Sequence, residues 1–346
     1  MSNPLEDFDP NAVGLQSNNI FGLPFTEDNA AVVILPVPWE VTVSYHPGTA
    51  RAPEHIYESS LQVDLYDSDV TDGWKEGFFM LPVDRNIRKK SDFLRQCAEL
   101  IISFLIEGGE MVANSQLCGK LKEVNNGGKM LFEWVKEMTT SQLKAGKKVG
   151  LLGGDHSTPL GYVSALGDFH EAFGVLQIDA HADLRKAYEG FAYSHASIMY
   201  NILAQIPQVK KLVQVGVRDY CDEENNLIKA NPERIKTFFD KDLKEAQYEG
   251  KTWREQCDEI IDALPQKVYI SFDIDGLDPK LCPHTGTPVP GGFEVEQIMF
   301  LFRQVKKSGR EIIGFDLNEV STGSNSNSID ANVGARILYK MCNYLL

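Results

Sequence analysis

Gly174-Val175-Leu176-Gln177-Ile178-Asp179-Ala180-His181-Ala182-Asp183 decides the reading of this chain. Its first half is a short, largely apolar run, the pattern of a strand buried on both faces. Its second half places acid and imidazole at alternate positions. Side chains two apart in extended chain point the same way, so Asp179, His181 and Asp183 face one direction.

Two further strands end in the same manner. Lys148–Leu152 runs into Gly153-Gly154-Asp155-His156-Ser157, and Val268–Phe272 runs into Asp273-Ile274-Asp275-Gly276-Leu277-Asp278-Pro279. Ala31–Leu35, Leu212–Val215 and Ile312–Phe315 complete the clear strands. Helical patterns lie between them at Phe93–Glu107, Lys129–Ala145, Thr158–Leu166, Ser197–Gln205, Trp253–Ala263, Val295–Ser308 and Asn332–Leu345. Strands alternating with helices predict an α/β fold with a parallel sheet covered on both faces. Ligands of such sheets bind beyond the carboxyl ends of the strands, so the three polar clusters converge on one edge.

That convergence gathers His156, His181, Asp179, Asp183, Asp273 and Asp275 in a small volume. Four carboxylates cannot stay ionised together without countercharge. A pair of divalent cations supplies it, and oxygen-rich ligation with some imidazole suits manganese first, with iron, cobalt, nickel and zinc also compatible. Two ions roughly 3.5–4 Å apart can share a hydroxide that is nucleophilic at neutral pH. Taken singly, each motif has a blander reading. Asp-Gly and Asp-Pro shape turns, and His156 can help to cap a helix. Three clusters at three strand ends are not explained that way.

The composition bounds the remaining choices. The chain has 346 residues, 43% hydrophobic and 24% charged, which excludes a disordered, collagenous or membrane-embedded protein. Lys and Arg number 34 against 49 acidic residues, a net charge of −15, which argues against a nucleic-acid partner. No apolar run reaches membrane-spanning length, so no membrane partner is expected. The six cysteines form no CxxC pair and the N-terminus shows no signal-peptide pattern, which predicts a reducing, cytoplasmic setting. Residues 1–25 read as an N-terminal arm and 26–346 as a single domain, with 84–146 a helical segment inside it. Ser321–Ser328 reads as a polar, low-complexity loop.

The chain resembles the ureohydrolase superfamily: arginase, agmatinase, formimidoylglutamase and related amidino hydrolases. The resemblance rests on Gly-Gly-Asp-His-Ser at 153–157, Asp-Ala-His-Ala-Asp at 179–183, Ser-Phe-Asp-Ile-Asp-Gly-Leu-Asp-Pro at 271–279 and the Gly-Thr-Pro loop at 286–288. It implies a three-layer α/β/α sandwich around a mostly parallel sheet of about eight strands, a manganese pair, and a homo-oligomer, trimer or hexamer. By position, His156, Asp179, Asp183 and Asp273 would hold one ion. His181, Asp179, Asp273 and Asp275 would hold the other. Asp183 would pass a proton from the bridging hydroxide to the leaving amine. Glu319 would bind the guanidinium, and His195 would shuttle protons at the mouth of the cleft.

The segment from Arg185 through Tyr188 to Ser194-His195-Ala196 is similar to the agmatinase branch. Recognition patterns of the arginase and formimidoylglutamase kinds are absent from it. Agmatine, hydrolysed to putrescine and urea by a dimanganese-bridged hydroxide, is therefore the first candidate. Guanidine, a guanidino acid, arginine and formiminoglutamate are alternatives. Arg185 is a candidate for a substrate carboxylate or for a structural salt bridge. Trp39, Thr42 and Tyr45, after the first strand, are candidates to narrow the site, as in the branch that hydrolyses guanidine, or are plain core residues. From another class, a single-zinc deacetylase-like enzyme also uses Asp and His ligands on a related fold.

Overall fold

The computed structural model describes residues 4–323 and 328–346. Residues 324–327 of the polar stretch Ser321–Ser328 lie outside them. Among the described residues eight strands form one wholly parallel sheet: β1 (Val32–Pro36), β2 (Phe78–Met80), β3 (Lys148–Leu152), β4 (Phe173–Ile178), β5 (Val209–Val215), β6 (Ile235–Phe238), β7 (Lys267–Asp273) and β8 (Glu311–Asn318). Their spatial order is β2-β1-β3-β8-β7-β4-β5-β6. The sandwich expected from the motifs is the fold observed.

Alternation along each strand builds two cores. Val32 and Ile34 of β1 pack with Leu176, Ile178, Ile270 and Phe272 under α1 (Ala52–Ser60), α8 (Trp253–Asp262), α9 (Val295–Lys307) and α10 (Ile329–Leu345). Val33, Leu35 and Val175 face the other way. They meet α2 (Arg85–Ile106), α3 (Ser115–Lys144), α4 (Leu160–Phe169) and α5 (Ile198–Gln205). The stretch 84–146 therefore contributes two long helices to one outer layer. At the N-terminus, Ile20, Phe21, Leu23 and Phe25 are buried in the first core.

The elements absent from the sequence reading share a physical cause. The outermost strands β2 and β6 have three and four residues and lack the long apolar run of a central strand. Helices α6 (Asp222–Ala230) and α7 (Asp240–Tyr248) bury one and two residues and are rich in charge, so little apolar content marks them. Helix α2 starts at Arg85 because Asp84 caps it, its carboxylate accepting from the Asn86 and Ile87 amides at 2.7 and 3.1 Å. Helix α3 begins well before the expected Lys129 and runs through Gly127 and Gly128, both poor helix formers.

The sheet order positions the site. β3, β8, β7 and β4 are neighbours, and they end at the 153–157 loop, Glu319, Asp273 and Asp179 respectively. Four central strands deliver their termini to one edge. The layer above depends on close helix contact: a Cβ on Gly161 of α4 would lie 2.3 Å from the Phe132 carbonyl oxygen and 2.8 Å from the Lys136 nitrogen, both α3 backbone. Gly161→Ala should therefore destabilise the protein by about 1–3 kcal/mol. Urea unfolding checks this, and an unchanged midpoint would contradict it.

Candidate metal centre

His156 stands at the centre of the first cluster. Its Nδ1 lies 3.0 Å from Asp179 Oδ2, 3.0 Å from Asp183 Oδ2 and 3.2 Å from Asp273 Oδ2. All four side chains are buried. Yet Nδ1 makes no properly directed hydrogen bond to any of them. A buried ring nitrogen facing three carboxylate oxygens is the donor set of a cation site. The second cluster is His181, whose Nδ1 lies 3.0 Å from Asp275 Oδ2 and 3.6 Å from Asp179 Oδ1. Asp179 thus offers one oxygen to each cluster. The residues fit a pair of ions on chemistry and placement alike.

The electrostatics follow from this crowding. Burial, then the neighbouring Asp275 and Asp179 charges, hold Asp273 well above the usual carboxylate range. Burial and Asp179 push Asp183 up to about 7. Asp179 moves the opposite way: burial opposes its ionisation, but the close approach of the His156 and His181 rings outweighs that and holds it low. The same carboxylates hold both histidines well above 6.5 against the effect of burial.

Backbone geometry supports the arrangement. Asp183 and Glu319 adopt positive φ, 53° and 62°, a conformation that costs a non-glycine residue on the order of 1–3 kcal/mol and clusters at functional sites. The 153–157 loop turns under the site where only glycine fits: a Cβ on Gly154 would lie 1.9 Å from the Trp39 carbonyl oxygen.

Glu319 is buried beside the first cluster, its Oε1 accepting from the His156 amide at 2.8 Å. Burial, then the Asp155 charge, hold its carboxyl well above the usual carboxylate range. His195 is half-buried, with Nδ1 3.2 Å from Thr42 Oγ1, and that oxygen also accepts the His195 amide at 3.3 Å. Desolvation, then the charges of His181 and His156, press it below 6.5, so its ring is neutral at pH 7.

A cavity of about 170 Å³ opens over the centre. His156, His181, Asp183, Asp273, Glu319, His195 and Arg185 line it, with Ser44, Tyr188, Asp219, Tyr220, Glu224 and Thr287. The three candidates from the loop after β1, Trp39, Thr42 and Tyr45, do not line it. Trp39 is buried in the core, where its indole packs among apolar side chains. Tyr45 points to solvent, 67% exposed and stacked on His46 at 3.9 Å. Thr42 acts on the site through His195, and Ser44 takes the place at the cavity wall. Arg185 stacks over Tyr188 at 4.9 Å and lies 3.8 Å from the Glu224 carboxylate, so it is both a cavity residue and a structural ion pair.

Residues beneath the ligands were not singled out in the sequence. His156 Nε2 lies 2.8 Å from Ser271 Oγ, which donates to the buried Asp316 at 3.1 Å. Arg218 donates to the Asp275, Leu277 and Val289 carbonyls at 2.6, 3.1 and 2.9 Å, tying the Asp273–Asp275 turn to the following loop. The available signal was polarity inside otherwise apolar strands, at Gln177, Gln214, Ser271 and Asp316.

Fold and site together define a parallel α/β protein with paired cation-holding clusters under a small-molecule cavity. The arginase family model matches residues 30–343, and the chain belongs to that family. It lies in the ureohydrolase superfamily near the agmatinase branch, and it is a hydrolase acting on the C–N bonds of amidines. The N(1)-aminopropylagmatine ureohydrolase of Thermus thermophilus is 32% identical over 295 residues, 85% of this chain and 84% of that one. The protein of the same name from Synechocystis sp. is 28% identical over 322 residues, 91% and 89% of the two chains. The proclavaminate amidino hydrolase of Streptomyces clavuligerus shares the fold, with a TM-score of 0.73 at 21% identity over 97% of this chain and 99% of that one. No helix among the described residues is long and apolar enough to cross a membrane.

Metal binding should release protons, because His156, His181, Asp183 and Asp273 all have their proton affinity raised in the metal-free fold. Apparent affinity should therefore rise from pH 6 to 8, by about tenfold per pH unit for each proton displaced. Manganese titration of chelator-stripped protein at several pH values checks the sign. An affinity independent of pH would contradict it.

Proposed function

We propose that the chain hydrolyses agmatine to putrescine and urea, using two manganese ions. His156, Asp179, Asp183 and Asp273 would hold one ion, and His181, Asp179, Asp273 and Asp275 the other. Bound ions supply a water-derived nucleophile at neutral pH and countercharge for the carboxylates. Glu319 pairs with the planar guanidinium and turns its central carbon toward the ions, a fork that a carboxylate matches well. A cation there also returns Glu319 to its ionised form. Asp183, at the cavity wall, moves a proton to the leaving amine. His195, neutral and held by Thr42, exchanges protons with solvent at the mouth.

The observation that carries the substrate reading is the placement of carboxylates in the cavity. Glu319 lies buried in it and Asp219 lines it in an exposed position, while the buried Glu224 accepts the Leu184 and Cys221 amides at 2.9 Å each. Arg185 is partly engaged by Glu224, which leaves Glu319 and Asp219 as the carboxylates for a substrate cationic at both ends. The same lining suits an aminopropyl-extended agmatine, the substrate named for the Thermus and Synechocystis relatives. A second reading, free guanidine, is favoured by the loop after β1. Ser44 reaches the cavity and Thr42 holds His195, so this loop stands where it can shorten the site. The two clusters sharing Asp179, with family membership, favour a metal pair over a single zinc ion of the deacetylase kind.

Urea release should be compared over agmatine, N(1)-aminopropylagmatine, guanidine, 4-guanidinobutyrate, arginine and formiminoglutamate, with manganese and with nickel. The reading predicts the highest kcat/KM for one of the first two. Arginine or formiminoglutamate ahead by more than about tenfold, some 1.4 kcal/mol, would overturn it. Guanidine ahead would transfer specificity to the Thr42–Ser44 loop. Glu319→Gln should cut kcat/KM by about 100-fold or more, since the site would keep its shape and lose the charge that meets the cation. A variant within threefold of wild type would remove Glu319 from that role.

A further inference from the structure

A row of polar side chains crosses the sheet one level below the metal ligands. Gln177 of β4 is in register with Ser271 of β7 on one side and with Gln214 of β5 on the other. Gln214 is in register with Thr237 of β6. Gln177 and Gln214 are fully buried, where apolar residues would otherwise be expected.

The hydrogen bonds of this row run one way. Thr237 Oγ1 donates to Gln214 Oε1 at 2.8 Å. Gln214 Nε2 donates to Gln177 Oε1 at 2.7 Å and to the Ala182 carbonyl at 2.7 Å. Gln177 Nε2 donates to Asp179 Oδ2 at 2.7 Å, with a longer contact of 3.4 Å to the His181 carbonyl. The Ala182 carbonyl can only accept, which fixes the orientation of the Gln214 amide. That in turn fixes Gln177 with its nitrogen toward Asp179. The other oxygen of Asp179 accepts from the His181 amide at 2.6 Å. Each Asp179 oxygen thus takes one N–H and keeps a lone pair, Oδ2 toward His156 and Oδ1 toward His181.

We propose that Thr237, Gln214 and Gln177 form a one-way hydrogen-bond relay that positions Asp179 to bridge the two clusters, with Gln177 as its key positioning residue. The inference rests on the two-metal reading of the site. Gln177 touches neither substrate nor ion. It acts by removing the freedom of Asp179 to rotate both oxygens to one cluster, in the way that outer-shell partners orient metal-binding side chains.

The test is manganese titration of the metal-stripped full chain in a chelator buffer, with kinetics on the same samples. Wild type should take up two ions. Gln177→Leu should weaken at least one by roughly tenfold and lower kcat while leaving the substrate KM within about twofold. Thr237→Val, at the far end of the relay, should weaken ion binding by a smaller factor and add nothing once Gln177 is Leu. A Gln177→Leu protein that binds both ions as tightly as wild type overturns the inference, as do Gln177→Leu and Thr237→Val effects that simply multiply. Should Gln177→Leu fail to fold, Thr237→Val decides alone, and unchanged ion affinity overturns the relay. A wild type that takes up no ion pair overturns the reading of the site itself.

Discussion

Four carboxylates and two imidazoles meet at one buried point, and the structure around them answers that concentration of charge. Without cations the groups share protons, which is why Asp183 and Asp273 are held up, and Asp179 down. Burying so many ionisable groups is costly unless each has partners. The partners are supplied in layers: the ligands oppose one another, Ser271 and Asp316 hold His156 from below, and backbone amides of Ala180, His181 and Asp275 hold the carboxylates.

The parallel sheet is what makes this possible. A parallel strand sends its neighbours' termini to the same edge, so four central strands can contribute without long loops. The same register brings in-line residues together across the sheet. Gln177 and Gln214 are buried polar groups that would be liabilities alone and are satisfied as a row that ends at the half-buried Thr237. The strain at Asp183 and Glu319 fits the same picture: Glu319 directly follows β8, Asp183 lies in the loop after β4, and both line the cavity.

Much of this was legible in the sequence, for physical reasons. Long apolar strands carry the fold, and the i, i+2 spacing of Asp179, His181 and Asp183 marks residues that the fold brings to one edge of the sheet. What escaped was what has no local signature. The edge strands β2 and β6 are too short, and the helices α6 and α7 too poor in apolar residues, to stand out along the chain. The loop after β1 misled at Trp39 and Tyr45, because aromatic residues near a site do not reveal which way they point: one turned into the core and the other to solvent. Register across a sheet is invisible along the chain, so the Gln177 row emerged only in three dimensions.

The central claim is that Asp179 joins two ions held by His156 on one side and His181 on the other. Anomalous diffraction from manganese-loaded crystals, collected on either side of the metal absorption edge, tests it most directly. The account predicts two peaks roughly 3.5–4 Å apart, one beside His156 Nδ1 and one beside His181 Nδ1, with an Asp179 oxygen against each. A single peak, or a pair that leaves Asp179 on one ion only, would contradict it.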